Sequence, residues 1–253
     1  MRKARRKKQF WDKEYAGARH WGGKGTHLAL SVEPSEDLQK FLRWYEREYR
    51  EPLLSARSSV LDLGCGNGRN LVYLAKEFNA RGLGIDSSHE AIAQAKKNAA
   101  EPVPTPAGRP APRVPAHFPL SFELRSIAGT LPVPDQSQDL VLDMMTSHFL
   151  DKEARATLHK ETARVLKPSG WLFLKTFLLE DDLHAARMLR EHPAEEEGSY
   201  IHPKFGGVEH VFTEEEIRIA LAPYFEIEKI TTSHRHRGPR AKRRSMCVYA
   251  QKK

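Results

Sequence analysis

Short apolar runs alternate with amphipathic stretches from residue 58 to the end of the chain, a pattern that predicts strands separated by helices. SSVLDLG (58–64) reads as a buried strand ending in a glycine cluster, and NLVYLAKEFN (70–79) as a helix with Leu71, Leu74 and Phe78 on one face. The unit repeats in RGLGID (81–86) and SSHEAIAQAKKNAAE, where Ser87 or Ser88 can cap a helix and Glu90 falls in its first turn. SFELRSI (121–127) and DLVLDMM (139–145) are the third and fourth strands, joined by the turn LPVPDQSQ. KEARATLHKETARVL (152–166) predicts a helix stopped at LKPSG, ahead of a fifth strand, WLFLKTF (171–177). FEIEKITT (225–232) and SMCVYAQK (245–252), joined by the basic SHRHRGPRAKRR (233–244), predict a closing antiparallel pair. The expected fold class is α/β, with a doubly wound, mostly parallel sheet.

Three segments break the alternation. The proline-dense stretch 101–119 reads as an extended surface connection. Residues 178–212 read as an irregular, acidic, His- and Gly-rich loop, which enters a helix at TEEEIRIALAPYF through a Thr213–Glu216 capping box. The first 50 residues carry Trp11, Tyr15, Trp21, Trp44 and Tyr45 and an amphipathic piece from Glu36 to Tyr49. They read as a basic tail (1–8) and a helical lid on the main domain, 51–253, in which 178–212 is the insertion beside the acceptor.

Composition narrows the class. Of 253 residues, 40% are hydrophobic and 29% charged, near ordinary globular values, and no apolar run is long enough to form a membrane-spanning helix. The basic start lacks the apolar stretch of a secretory signal, and two cysteines, Cys65 and Cys247, point to a reducing compartment; the chain is read as cytoplasmic. The net charge of +8 is uneven: residues 1–8 hold six basic side chains and 235–253 eight, which leaves −6 for the rest. Such ends suit either nucleic-acid contact or solubility. His202, His210, His234 and His236 lack the helical pairing of a zinc site, so no metal is expected.

The chemistry-bearing motif is VLDLGCGNGRN (60–70). Glycines at 64, 66 and 68 permit tight backbone geometry and close approach of a ligand, and the helix that follows presents free N–H groups. The dinucleotide fingerprint would need its third glycine where Arg69 stands, and a phosphate-binding Walker loop would need Lys and Ser/Thr where Arg69 and Asn70 stand.

Asp62-x-Gly64-x-Gly66-x-Gly68 resembles the first motif of the class I S-adenosylmethionine-dependent methyltransferases. The likeness extends through Asp86, LPVPDQSQDLVLDM (131–144) and RVLKPSGWLFLKTF (164–177), and within the superfamily the chain looks most like the bacterial tellurite-resistance type. It implies a Rossmann-like seven-stranded sheet whose last two strands are antiparallel. It also implies S-adenosylmethionine as cofactor and S-adenosylhomocysteine as product, with Gly64, Cys65 and Gly66 at the methionine end, Asp62 helping to fix that loop, Asp86 at the ribose hydroxyls and Ser87 among the cofactor-binding residues. Where many relatives place a carboxylate for adenine, this chain has Ser126, Ile127 and Ala128, so adenine contact rests on backbone groups or Ser126. Asp143 and Met144 would line the transfer site with Thr146 and His148.

Methyl transfer from a sulfonium is an in-line displacement, in which the protein's task is orientation and exclusion of water. His148 and His210 are the candidates where a general base is needed. The expected acceptor is a small molecule. The alternatives are an RNA held by the basic N-terminus and the 233–244 loop, and a non-catalytic cofactor-binding protein. No stable protein partner is implied.

Overall fold

The computed structural model describes residues 10–16, 31–100, 119–204, 206–233 and 243–253. The basic tail, most of the 101–119 connection and most of the 233–244 loop lie outside these residues. The elements run in chain order: helix α1 (10–16), α2 (Glu36–Tyr49), β1 (Ser59–Leu63), α3 (Arg69–Phe78), β2 (Arg81–Asp86), α4 (His89–Ala100), β3 (Leu120–Leu124), β4 (Gln138–Met144), α5 (Lys152–Val165), β5 (Leu166–Phe177), α6 (Leu183–Glu191), β6 (Ser199–Ile201), β7 (Val208–His210), α7 (Glu214–Leu221), β8 (Phe225–Thr232) and β9 (Ser245–Lys252). Seven strands form one sheet in the order β3-β2-β1-β4-β5-β9-β8. β9 is antiparallel to both of its neighbours, as the two C-terminal β-rich runs predict.

The chain divides into two compact units, Trp11–Arg125 and a second built on Ser126–Lys253. In the first, β1 pairs in parallel with β2 and β2 with β3, and Val60, Leu61, Leu63 and Ile85 are buried. α3 buries Leu71 and Leu74 of the expected face, together with Val72 and Ala75, while Phe78 is only partly buried; α4 buries Ala91, Ile92 and Ala95. α2 buries Leu38, Phe41, Leu42 and Trp44 in the same unit. Each large apolar side chain buried in this way is worth about 1.5–3 kcal/mol against exposure.

In the second unit β4 and β5 pair in parallel, and the core holds Leu140, Val141, Leu142, Trp171, Phe173 and Val248. β5 starts at Leu166, ahead of the expected Trp171. Leu166 is fully buried and pairs with Gln138, and the chain absorbs Pro168 and a left-handed Ser169 (φ 60°) inside the strand. The 178–212 segment is not an irregular loop. Asp182 caps α6 by accepting from the Ala185 N–H at 2.9 Å, and β6 and β7 form a hairpin. Ala185, Met188, Tyr200 and Val211 make a small core of their own, against which Phe177, Leu179 and Leu189 pack.

Candidate active site

The glycine motif forms the turn between β1 and α3. Gly64, Gly66 and Gly68 all have positive φ (72°, 55° and 75°), a region costly for any residue with a Cβ. The N–H groups of Gly64 and Cys65 both donate to the Ile85 carbonyl, at 2.7 and 3.0 Å, so the loop hangs from the end of β2. A Cβ on Gly66 would lie 2.3 Å from the Tyr15 hydroxyl, and one on Gly68 would press on Phe122 and Ala95. Cys65 turns inward, its Sγ against Gly84, and burial holds its thiol well above the usual range. It is a packing residue that leaves only its backbone to face a ligand.

Asp86 ends β2 beside this loop. Its Oδ2 accepts from the Gly66 N–H at 3.0 Å and its Oδ1 from the Ser88 N–H at 2.8 Å. Burial pushes its pKa up, while these N–H groups and that of Ser87 pull it back. A carboxylate oxygen that accepts one hydrogen bond keeps a lone pair for another, so Asp86 can still receive two hydroxyls. Ser88, rather than Ser87, caps α4, accepting from the Ala91 N–H at 3.2 Å. Asp62 is fully buried in β1.

Three asparagines absent from the sequence-based list of site residues hold the loop in place. The Asn67 amide donates to the Ser31 carbonyl, Asn98 donates to the Asn67 carbonyl, and Asn70 accepts from the Ser35 N–H, at 2.9 to 3.0 Å. Asn67 and Asn70 are buried; Asn67 stands between Gly66 and Gly68 in the turn, and Asn70 lies in the first turn of α3. A glycine cradle closed to side chains, with a pinned carboxylate at its rim, fits S-adenosylmethionine: Gly64–Gly66 would hold the methionine end and Asp86 the ribose.

In the second unit the turn after β4 carries the other candidates. Asp143 is buried and its Oδ1 accepts from the Ser147 N–H at 3.1 Å; burial pushes its pKa up to about 6. Met144 is partly buried, and the Met145 N–H donates to the Lys175 carbonyl at 2.8 Å. His148 is buried, with its ring 4.1 Å from that of Phe149 and edge-on to Phe177 at 5.0 Å (centroid distances). Ile127 is buried, whereas Ala128 is exposed and donates its N–H to Ser126 Oγ at 3.1 Å.

His210 lies elsewhere in this unit, in β7, buried with both ring nitrogens engaged. Nδ1 is 2.8 Å from Ser199 Oγ and Nε2 is 2.8 Å from Glu216. This triangle ties the hairpin to α7, and it redirects half of the expected capping box. Thr213 Oγ1 accepts from the Glu216 N–H at 3.0 Å, but the Glu216 carboxylate goes to His210. Beside it, Tyr200 and Arg243 both donate to Glu209, and the Arg243 guanidinium lies over the Phe177 ring, 3.4 Å from its centroid. Arg244 is 7% exposed and donates to the carbonyls of Glu180 and Ser233 at 2.8 and 3.0 Å.

Comparison with known proteins places this geometry. Residues 60–170 match the methyltransferase domain family. The chain is 31% identical to 2-methyl-6-phytyl-1,4-hydroquinone methyltransferase of Synechocystis, over 60% of this chain and 43% of that protein. It is 30% identical to 27-O-demethylrifamycin SV methyltransferase of Amycolatopsis mediterranei, over 50% of this chain and 41% of that one. It spans between 34% and 51% of the length of the curated relatives it matches. A solved S-adenosylmethionine-dependent methyltransferase from Methanosarcina mazei superposes with a TM-score of 0.65 at 25% identity, covering 87% of this chain and 98% of that one. The glycine turn, the strand-end carboxylate, the sheet order and these likenesses agree: the fold is that of the class I S-adenosylmethionine-dependent methyltransferases, and residues 60–170 carry the match to the methyltransferase domain family.

Proposed function

We propose that this chain is an enzyme that transfers a methyl group from S-adenosylmethionine to a small molecule. The observation that carries the cofactor reading is Asp86, bonded to the Gly66 N–H at the rim of a cradle closed to side chains. Bound there, S-adenosylmethionine supplies a methyl group activated by its sulfonium. Asp86 and Ser87 hold the ribose end, and Gly64–Gly66 give close backbone approach. Orientation and exclusion of water are then the protein's main contribution.

The acceptor assignment draws on the relatives that act on a hydroquinone and a rifamycin, and on the base of the 233–244 loop. Arg243 and Arg244 belong to the basic cluster that would otherwise meet RNA phosphates. Both are turned inward, Arg243 on Glu209 and Phe177, Arg244 on Glu180, Asp181 and Ser233. His148, on the turn after β4 beside Phe149 and Phe177, is a candidate for a general base, and His210 is bonded to Ser199 and Glu216. On this reading 51–253 is the transferase domain, with 178–212 beside the acceptor, and the enzyme works in the cytoplasm.

The test is transfer of labelled methyl from S-adenosylmethionine into a cell extract separated into small-molecule, RNA and protein fractions. Label in the small-molecule fraction is expected. Label in RNA overturns the acceptor class, and cofactor binding without label in any fraction supports a non-catalytic binding protein.

A further inference from the structure

Helix α1 is held against the cofactor cradle by its own hydrogen bonds. Asp12 Oδ1 accepts from Ser88 Oγ at 2.7 Å and from the His89 N–H at 3.0 Å, where a carboxylate meets the positive end of the α4 dipole. One turn further on, the Gln94 amide donates to the Tyr15 carbonyl. These bonds come from α4, which starts three residues beyond Asp86, and from its cap Ser88, so the cradle and the N-terminal turn share one anchor.

The latch aims one side chain. The Tyr15 hydroxyl lies so close to Gly66 that it sits 2.3 Å from where a Cβ would be, and the Trp11 ring stands 6.3 Å from the Tyr15 ring on the same helix. Burial, together with the nearby Asp86 and Asp62 carboxylates, pushes the phenol's pKa up, so the hydroxyl remains a hydrogen-bond donor across the physiological range. The carboxylate and loop that define the cradle are therefore the groups Tyr15 faces. Neither the glycine motif nor the alternation of strands and helices draws attention to Tyr15, which lies more than forty residues before them.

We infer that Tyr15 is a cofactor-contacting residue: its hydroxyl completes the wall of the cradle made by Gly64–Gly66 and Asp86, and the Asp12–Ser88 latch positions it there. Residues 10–16 then belong to the binding site itself rather than to a general cover over the domain. This inference rests on the cofactor reading above and adds to it a residue and an element. Loss of the hydroxyl alone removes one hydrogen bond, loss of the ring opens the wall, and loss of the latch lets the helix leave.

The test is binding of S-adenosylhomocysteine to the full chain by calorimetry, with hydrogen exchange of residues 10–16 followed in parallel and thermal unfolding as the control for folding. Tyr15→Phe is expected to raise Kd about 5-fold and Tyr15→Ala about 50-fold, on the scale of one lost hydrogen bond and of lost packing as well. Asp12→Ala, outside the cradle, is expected to raise Kd roughly 3-fold and to speed exchange in 10–16, consistent with the loss of a helix-terminal contact. Ligand slows that exchange in the wild type and fails to do so in Tyr15→Ala. Unchanged affinity in both Tyr15 variants alongside wild-type binding overturns the inference and leaves the cofactor reading intact. Tighter binding by Tyr15→Ala also overturns it, because the ring would then be an obstruction. Absence of binding by the wild type overturns the cofactor reading, and this inference with it.

Discussion

The Gly66 N–H donates to the Asp86 carboxylate at 3.0 Å across twenty residues of sequence, and the other oxygen of the same carboxylate receives the Ser88 N–H. One side chain thus fixes the glycine turn and the start of α4 while facing the cofactor cradle. Asp86→Ala removes charge-assisted hydrogen bonds worth about 1.5–3 kcal/mol each. Affinity for S-adenosylhomocysteine is expected to fall about 10- to 100-fold, measured by calorimetry on a variant with a native circular dichroism spectrum. Undiminished affinity would remove Asp86 from the ribose role.

His159 sets a limit to stability in acid. It is buried on α5, its Nε2 without a hydrogen-bond partner among the described residues, and burial, aided by the Arg155 charge, pushes its pKa down to about 4. The unfolded chain takes up this proton near pH 6.5 and the folded chain only near 4. Stability is therefore full above 6.5 and falls as pH drops through that window, by on the order of 3 kcal/mol. His159→Leu should flatten the loss between pH 6.5 and 4 in urea titrations; an unchanged acid limb would place the proton uptake elsewhere.

Asp143 has the opposite sign. Burial raises its folded pKa to about 6, so below pH 3.8 both states are neutral, and stability is lost as pH rises from 3.8 to 6. Asn at this position can still accept the Ser147 N–H through its amide oxygen. Asp143→Asn is thus expected to stabilise the fold at pH 7 by on the order of 2–3 kcal/mol and to leave it unchanged at pH 4. A melting temperature at pH 7 equal to or below that of the wild type would refute the burial cost.

The parts of the fold legible in the sequence are those where the period and the punctuation agree. β1, β2 and their helices lie within a residue or two of expectation because apolar runs there end in glycines or cap residues, as at Gly68 and Ser88. α6 was hidden because LHAARMLRE is short and its buried positions include only Ala185 and Met188, while its cap Asp182 sits in an acidic run that reads as loop. β5 was clipped because Pro168 and Gly170 signal a turn, whereas Leu166 is held in the ladder by its partner Gln138. In the site, Asp86 and the glycines announce themselves by spacing. Tyr15 and Asn67 do not, since their roles come from the partners the fold brings to them, Gly66 in one case and Ser31 and Asn98 in the other.

Arg155 shows how the second unit bears a buried charge. Its side chain is 4% exposed, paired with Glu196, donating also to the Leu150 carbonyl at 2.6 Å, with its guanidinium carbon 5.4 Å from the Phe212 ring centroid. Glu196 precedes the β6–β7 hairpin, so the pair joins α5 to the segment that carries His210. Removing one member of a buried pair strands the other, whereas replacing both with apolar groups of similar size removes the desolvation cost as well. Glu196→Ala is expected to destabilise by roughly 2–4 kcal/mol, the lower part of the buried range, because Glu196 is itself 22% exposed. The double variant Arg155→Met/Glu196→Leu should recover most of that loss in urea unfolding. If the double variant is as unstable as the single one, the guanidinium matters for its bond to Leu150 and its contact with Phe212 more than for its charge partner.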